Sequence, residues 1–150
     1  MSAHSQAPEK SILGVWWLKS RLDTAKDGTL REEPNLGSDP LGILTYAPGR
    51  FAAQFMKRNR TGDTVPGLSK SGMNNTSAVG GYDAYFGTYE VHHDSGEVLH
   101  RLEGALSPEN VGLEVYRNLE VKGDRLEIRL ATATADGEAI LRTLTWDRIG

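Results

Sequence analysis

A chain of 150 residues can bury one hydrophobic core, and the absence of cysteine excludes disulfides, thiolate nucleophiles and thiolate metal ligands. The 17 Lys and Arg residues against 20 Asp and Glu residues give a formal charge of −3, which disfavours nucleic acid and anionic membrane surfaces as partners. Residues 1–10 are polar and lack the apolar segment of a secretory signal, and no apolar run approaches the ~20 residues of a membrane span. We expect a cytoplasmic protein with a disordered tail at residues 1–10 and a single domain over residues 11–150.

The first strand candidate, residues 13–22, alternates between two faces. The faces consist of Val15 and Trp17 on one side and Trp16, Leu18 and Leu22 on the other. Residues 23–40 are charged and rich in turn residues, so we expect a loop there with a short strand at 28–33. Two further strands, at 42–46 and 50–57, are joined by Ala47-Pro48-Gly49, and Pro followed by Gly is typical of a type II turn. These two strands are therefore predicted to form a hairpin.

Residues 61–81 interrupt this pattern with five glycines among Ser, Asn and Thr. Loops of this length inside a compact domain are usually functional or disordered. We expect a flexible flap over one end of the fold, with a disordered insertion as the alternative.

The second half of the chain contains regularly spaced strands separated by short turns. The strand candidates are residues 84–92, 97–106, 111–121, 125–132 and 138–147. The turns contain Asp-Gly and Gly-Asp pairs, which supply the positive φ angles of tight hairpins. An antiparallel meander of eight or nine strands without helical periodicity closes most readily into an all-β up-and-down barrel with a central pocket.

Tyrosines on the strand at 84–92 indicate a cavity wall. Tyr85, Gly87 and Tyr89 share one face, and each phenol offers an apolar ring with one hydrogen-bonding hydroxyl. Gly87 removes a side chain between them and lets another group approach. An ordinary sandwich strand with amphipathic tyrosines is the alternative interpretation.

Arg117 interrupts an apolar stripe on the strand at 111–121. A buried arginine is costly unless a carboxylate, a carbonyl or a ligand anion satisfies it. Arg117 is therefore either a ligand-binding residue or a structural one, paired with Glu103, Glu114 or a main-chain carbonyl.

His100 is a candidate general acid or base, because the unperturbed pKa of histidine is near 6.5. A hydrogen-bonded core histidine is the alternative. A two-residue turn at Asp94-Ser95 would place Tyr89 opposite His100, and a three-residue turn would place Glu90 there. The nearby His92-His93 pair is not expected to bind a metal, because adjacent residues on a strand point to opposite faces.

Several segments match a known family in order. They are Leu13-Gly14-Val15-Trp16, residues 42–54, residues 84–91, residues 98–103, Gly112 and Arg117. Together they resemble the lipocalin-like domain family of small microbial proteins, over about residues 13–147. The resemblance implies an antiparallel barrel of eight or nine strands around a pocket. It also implies that Trp16 closes the barrel floor and meets Arg142 or Arg148.

True lipocalins are secreted and carry a disulfide, and this chain departs from them on both counts. The family that the chain resembles has members among biosynthetic enzymes, and related barrels act as cyclases or isomerases without a cofactor. The favoured function is therefore a cofactor-independent isomerase, cyclase or lyase acting on a mostly apolar substrate with a carbonyl or acid group. A non-catalytic intracellular carrier of a small hydrophobic ligand is the first alternative, and a structural barrel acting at an oligomer surface is the second.

The expected site combines proton-transfer groups with ligand-orienting groups. The catalytic candidates are His100, Tyr89 and Glu103, and the ligand-binding candidates are Tyr46, Gln54, Met56, Tyr85 and Arg117. Arg117 or Gln54 would hold a carbonyl or enolate oxygen. We expect no metal or cofactor, a small hydrophobic or polyketide-like ligand, and no nucleic acid or membrane partner, with a homodimer left open.

Overall fold

The computed structural model describes residues 11–60, 74, 76 and 78–150, and these form nine β-strands and one 3₁₀ helix, Pro108–Asn110. The strands are β1 Gly14–Ala25, β2 Leu30–Arg31, β3 Leu41–Ala47, β4 Arg50–Met56, β5 Tyr82–His92, β6 Glu97–Ala105, β7 Glu114–Lys122, β8 Arg125–Ala133 and β9 Ala139–Arg148. The predicted tail at 1–10 and most of the predicted flap (61–73, 75 and 77) lie outside the described residues.

The strands form one antiparallel meander that closes on itself. Their order is β2-β1-β3-β4-β5-β6-β7-β8-β9, and β1 also pairs with β9 over most of its length. The result is a closed eight-stranded barrel with the short β2 paired to Asp23 and Thr24 of β1. The predicted all-β up-and-down barrel is confirmed.

Alternation along each strand separates the barrel interior from solvent. On β4, Phe51, Ala53 and Phe55 are buried, whereas the residues between them are exposed. Large side chains from all sides fill the interior, including Trp16, Leu44, Leu102, Leu126 and Trp146. The barrel is therefore a packed core along most of its length.

A bulge in β1 changes which residues point inward. The register with β9 shifts between Leu18 and Ser20, so alternation restarts after Lys19. Arg21 and Asp23 are consequently buried, and Leu22 is exposed. The prediction that Leu22 shares a face with Trp16 and Leu18 is therefore wrong, because a single extra residue inverts the faces of the strand.

The β5–β6 hairpin places Tyr89 opposite His100, with His92 opposite Glu97 and residues 93–96 forming the turn. Gly87 lies at a second register shift, where an added Cβ would lie 1.8 Å from the Arg101 carbonyl oxygen. The group that approaches Gly87 is thus the neighbouring strand.

Trp16 closes one end of the barrel. Its Nε1 donates to the Ile12 carbonyl oxygen at 2.9 Å, and the Arg148 guanidinium lies 4.2 Å from the ring centroid. Arg148 also donates to the carbonyl oxygens of Leu13 and Ser11, at 2.5 and 2.8 Å. Of the two arginines implied by the resemblance, Arg148 is the one that covers the tryptophan.

The described residues of the predicted flap contact the other end of the barrel. The Asn74 side chain donates to the Tyr116 carbonyl oxygen at 2.9 Å and accepts from the Tyr116 N–H at 2.8 Å. Thr76 and Ala78 are buried against the barrel. This segment therefore forms part of the wall at the end opposite Trp16.

Candidate functional site

A cavity of about 90 Å³ lies at the end of the barrel opposite Trp16. Core side chains such as Phe55, Leu130 and Leu144 form its apolar wall. Its charged lining includes Arg21, Asp23, Glu33, Asp83, Arg117 and Arg142. A buried charge is costly unless a partner balances it. The partners of each charged side chain therefore show which groups are available to a ligand.

Two of the three arginines are paired with carboxylates. Arg142 lies directly across from Asp23 in the β1–β9 ladder, and the pair is bidentate with N–O distances of 2.7 and 3.0 Å. Arg21 contacts Glu33 Oε1 at 3.2 Å. Glu33 also accepts from the main-chain N–H groups of Asn35 and Leu36, at 2.6 and 3.0 Å. Arg142 and Arg21 therefore each have a carboxylate as counter-charge.

Arg117 is paired differently. It is only 6% exposed, and its Nη1 donates to the carbonyl oxygens of Asn74 and Tyr116 at 2.8 and 2.9 Å. No carboxylate among the described residues contacts it. Burial lowers the pKa of Arg117, while nearby Tyr85 and Tyr46 act in the opposite direction. Arg117 therefore brings a buried positive charge to the cavity wall, and its hydrogen-bond partners among the described residues are main-chain oxygens.

Asp83, at the start of β5, is 4% exposed and also lines the cavity. Its Oδ2 accepts from the Thr76 hydroxyl at 2.5 Å. Its Oδ1 is buried and has no hydrogen-bond partner in the part of the chain that the structure describes. Burial raises the pKa of Asp83 to about 6, against the lowering effects of the Thr76 hydrogen bond, the Ala84 main-chain N–H and the Arg21 charge. The carboxyl group thus has one oxygen available and titrates near neutral pH.

Tyr85 follows Asp83 by two residues and shares its face of β5. Its ring contacts Phe51 and Phe55, with centroid distances of 6.0 and 6.4 Å. Burial raises the pKa of Tyr85 to about 12, so the phenol stays neutral at physiological pH. The ring adds an apolar surface to the cavity and the hydroxyl adds a neutral polar group.

The Tyr46–His100 pair lies in the core and does not line the cavity. The Tyr46 hydroxyl oxygen and His100 Nε2 share a hydrogen bond of 2.6 Å, and the imidazole stacks on Phe51 at 4.2 Å. Burial, with a smaller contribution from the Arg117 charge, lowers the pKa of His100 to about 3. Burial raises the pKa of Tyr46 well above its usual value. Both rings are therefore neutral over the physiological range.

Tyr89 is also separated from the cavity. Its hydroxyl donates to the Ala47 carbonyl oxygen at 2.9 Å, beside the β3–β4 turn, and its ring packs edge-on against Tyr46 at 5.0 Å. Of the eight residues predicted for the site, the cavity brings together Tyr85 and Arg117.

The interior assignment of Gln54, Met56 and Glu103 is corrected by the structure. Gln54 and Met56 occupy the face of β4 opposite its buried aromatic residues, and exposed Gln54 accepts from the Tyr82 hydroxyl at 2.5 Å. Glu103 lies outside the barrel and pairs with Arg50 at 2.7 Å. The burial of Phe51 and Phe55 decides which face of β4 points inward, because two large apolar rings gain more from burial than one amide does.

Sequence reasoning missed Arg21, Asp23, Asp83 and Arg142. Two of these had a usable signal: Arg142 interrupts the alternating stripe Ile140-x-Arg142-x-Leu144-x-Trp146, and Asp83 precedes Tyr85 by one strand period. Arg21 and Asp23 had none, since the β1 bulge moves Arg21 to the buried face and Asp23 was expected in the loop that follows the strand.

A profile of the lipocalin-like domain matches residues 13–149. The chain belongs to the lipocalin-like domain family. No curated protein matches the chain. The lipocalin-like barrel with its internal cavity suits the binding of small molecules. Among the described residues there is no helix that could span a membrane, and no cluster of three or more metal-ligating side chains.

Proposed function

We propose that this lipocalin-like barrel binds a small molecule that has a carbonyl or carboxyl group on a mostly apolar body. The observation that supports this proposal is the buried Arg117 guanidinium, whose described partners are two main-chain carbonyl oxygens. A guanidinium has more N–H groups than these two bonds use, and an oxygen acceptor from a ligand would satisfy them.

The two neighbouring ion pairs restrict where a ligand oxygen would bind. Arg142 is held by Asp23 and Arg21 by Glu33, so the positive charge of each is already balanced. A carboxylate or a polarised carbonyl is attracted most strongly to Arg117, the lining arginine without a carboxylate partner in the part of the chain that the structure describes. Arg117 is therefore the proposed anchor of the ligand.

The size of the cavity limits the group that enters it. A volume of about 90 Å³ holds only a few heavy atoms. A second, more open space of about 310 Å³ is lined in part by the same residues, Arg21, Asp23, Glu32 and Glu33. We infer that a polar head binds in the inner cavity and that the rest of a larger ligand extends toward this opening. A short polyketide-like ketone or acid has these features.

Binding of the proposed ligand is compatible with two functions of the protein. A carrier would only orient it, whereas a cofactor-independent isomerase, cyclase or lyase would also move a proton within it. Both functions begin with the same bound complex, so binding is the first property to test.

Side-chain NMR of the buried arginines tests binding directly. The Nε–H signal of Arg117 is followed while butanoate, butanone or butanol is added, three molecules of similar size with different oxygen chemistry. We expect butanoate and butanone to shift this signal and to bind at least about tenfold more tightly than butanol. In the Arg117→Leu variant, which is followed through the Nε–H signals of Arg21 and Arg142 in the same cavity, this preference should be lost.

Arg101 provides the matched control, because it is exposed on β6 and paired with Glu90 and Glu114 outside the barrel. The Arg101→Leu variant should bind the same molecules as the parent protein does. Equal affinity for all three probes, or equal losses in both variants, would contradict the assignment of Arg117.

A further inference from the structure

We propose that Asp83 is a catalytic acid–base residue that transfers a proton at the carbon next to the ligand carbonyl, while Arg117 holds the carbonyl oxygen. This inference rests on the proposed function, because it requires the ligand carbonyl to be bound at Arg117. It makes the barrel an enzyme of the proton-transfer class.

The position of Asp83 is the first argument. Asp83 and Tyr85 project from one face of β5, Arg117 projects from β7, and all three line the same cavity. A small ketone anchored by its oxygen at Arg117 would therefore lie in the same small volume as the Asp83 carboxyl group. This is the arrangement that proton abstraction next to a carbonyl needs: a base and an electrophilic group around one small substrate.

The hydrogen bonds of Asp83 are the second argument. Buried carboxylate oxygens are normally satisfied, and an exception calls for an explanation. The Thr76 hydroxyl holds Oδ2, which fixes the carboxyl plane, and Oδ1 has no partner among the described residues. Both oxygens of Asp23 are bound by Arg142, and Glu33 is bound by Arg21 and two main-chain N–H groups. Asp83 therefore differs from these two carboxylates in having an oxygen available to a ligand.

The protonation behaviour of Asp83 agrees with this role. Burial raises its pKa to about 6, so the group is largely ionised at neutral pH and its conjugate acid is still a useful proton donor. The other ionisable groups that line the cavity are Arg21, Arg117, Arg142, Tyr85, Asp23, Glu32 and Glu33. His100, the general base expected from the sequence, lies outside the cavity lining and has a pKa of about 3.

The chemical step is a proton transfer without a redox partner. Asp83 Oδ1 takes a proton from the carbon next to the carbonyl, and the electron pair of that C–H bond forms the enolate double bond. The carbonyl π electrons move to oxygen, where the Arg117 guanidinium stabilises the negative charge. The Asp83 carboxylic acid then returns the proton to the same carbon or to another one, and return to another carbon completes an isomerisation.

Hydrogen exchange in butanone tests this step. The probe is incubated with the protein in deuterium oxide, and proton NMR follows the loss of the hydrogens next to the carbonyl. We expect the parent protein to catalyse exchange, with kcat/KM rising as the pH increases through about 6. The Asp83→Asn variant should lose about 100-fold in rate while it still binds butanone at Arg117.

Thr76→Val is the second variant, since valine keeps the shape of threonine but cannot donate to Asp83 Oδ2. Loss of this hydrogen bond raises the pKa of Asp83, so the midpoint of the pH profile should move upward while exchange at high pH persists. A purely structural role of Asp83 would not move this midpoint.

The outcomes separate the two proposals. Butanone binding at Arg117 with equal exchange by the parent and Asp83→Asn proteins would overturn the catalytic role and leave the binding function intact. Absence of butanone binding in the parent protein would overturn both. Circular dichroism of each variant verifies that the barrel is folded.

Discussion

Replacing Asp83 by asparagine should stabilise the folded protein at neutral pH, although it removes the proposed proton acceptor. Asparagine has nearly the same shape, and its side-chain oxygen can still accept from the Thr76 hydroxyl. It cannot ionise, so it avoids placing a negative charge in the barrel interior. Groups that serve chemistry often cost stability in this way.

The pKa of Asp83 gives the size of the effect. Burial raises it from the ordinary 3.8 to about 6 in the folded protein. Because each pH unit of such a difference corresponds to about 1.4 kcal/mol, ionisation of Asp83 costs the fold about 3 kcal/mol. Well below pH 3.8 the carboxyl group is protonated in both the folded and the unfolded protein, so Asp83 does not lower the free energy of unfolding there. As the pH rises from about 3.8 through about 6, the unfolded chain releases the proton first, and the free energy of unfolding falls.

Urea unfolding of both proteins between about pH 4 and pH 8 measures this difference. The fluorescence of the buried Trp16 and Trp146 reports the transition. The free energy of unfolding of Asp83→Asn minus that of the parent should increase by about 2.5 kcal/mol from pH 4 to pH 8, because the carboxyl group of the unfolded chain is already partly ionised at pH 4. Asp94→Asn, in the exposed turn between β5 and β6, is the control and should give a nearly constant difference.

A constant difference for Asp83→Asn across this range would refute the reasoning. It would mean that Asp83 has the same proton affinity in the folded and unfolded chain. In that case its carboxyl group is not held in an environment that disfavours the charge, and the pH profile expected for exchange would lose its basis.

Three further substitutions test the surroundings of the cavity. Arg117→Leu should weaken butanoate binding at least about tenfold while circular dichroism shows a folded barrel; an unfolded variant would assign Arg117 a structural role. Tyr46→Phe should lower the free energy of unfolding in urea by about 1–3 kcal/mol, because His100 loses its partner, and should leave butanone affinity unchanged. A matching loss of affinity would show that this pair belongs to the binding site. Gly87→Ala should lower the thermal midpoint by several degrees, because the new Cβ would lie 1.8 Å from the Arg101 carbonyl oxygen. A midpoint equal to that of the parent would show that β5 and β6 tolerate a side chain there.

The sequence by itself determined the fold class and one wall of the cavity. Strand periodicity and turn residues predict the antiparallel meander, and closure of that meander removes its exposed edges. The same periodicity predicts that Tyr85 and Arg117 project from strands toward the interior, and both line the cavity. These predictions succeed because they depend only on alternation within single strands.

Only the tertiary structure decided which other groups share that cavity. Alternation defines two faces of a strand without stating which face is buried. The sequence pattern predicts Gln54 and Met56 inside the barrel, whereas the structure buries the opposite face, which carries Phe51. One extra residue in β1 turns Arg21 and Asp23 inward, which no local pattern reveals. The Asp23–Arg142 pair joins residues 119 positions apart, and it forms because the last strand closes the barrel against the first. Pairing across such a distance depends on how the whole chain closes, and a short sequence window does not contain that information.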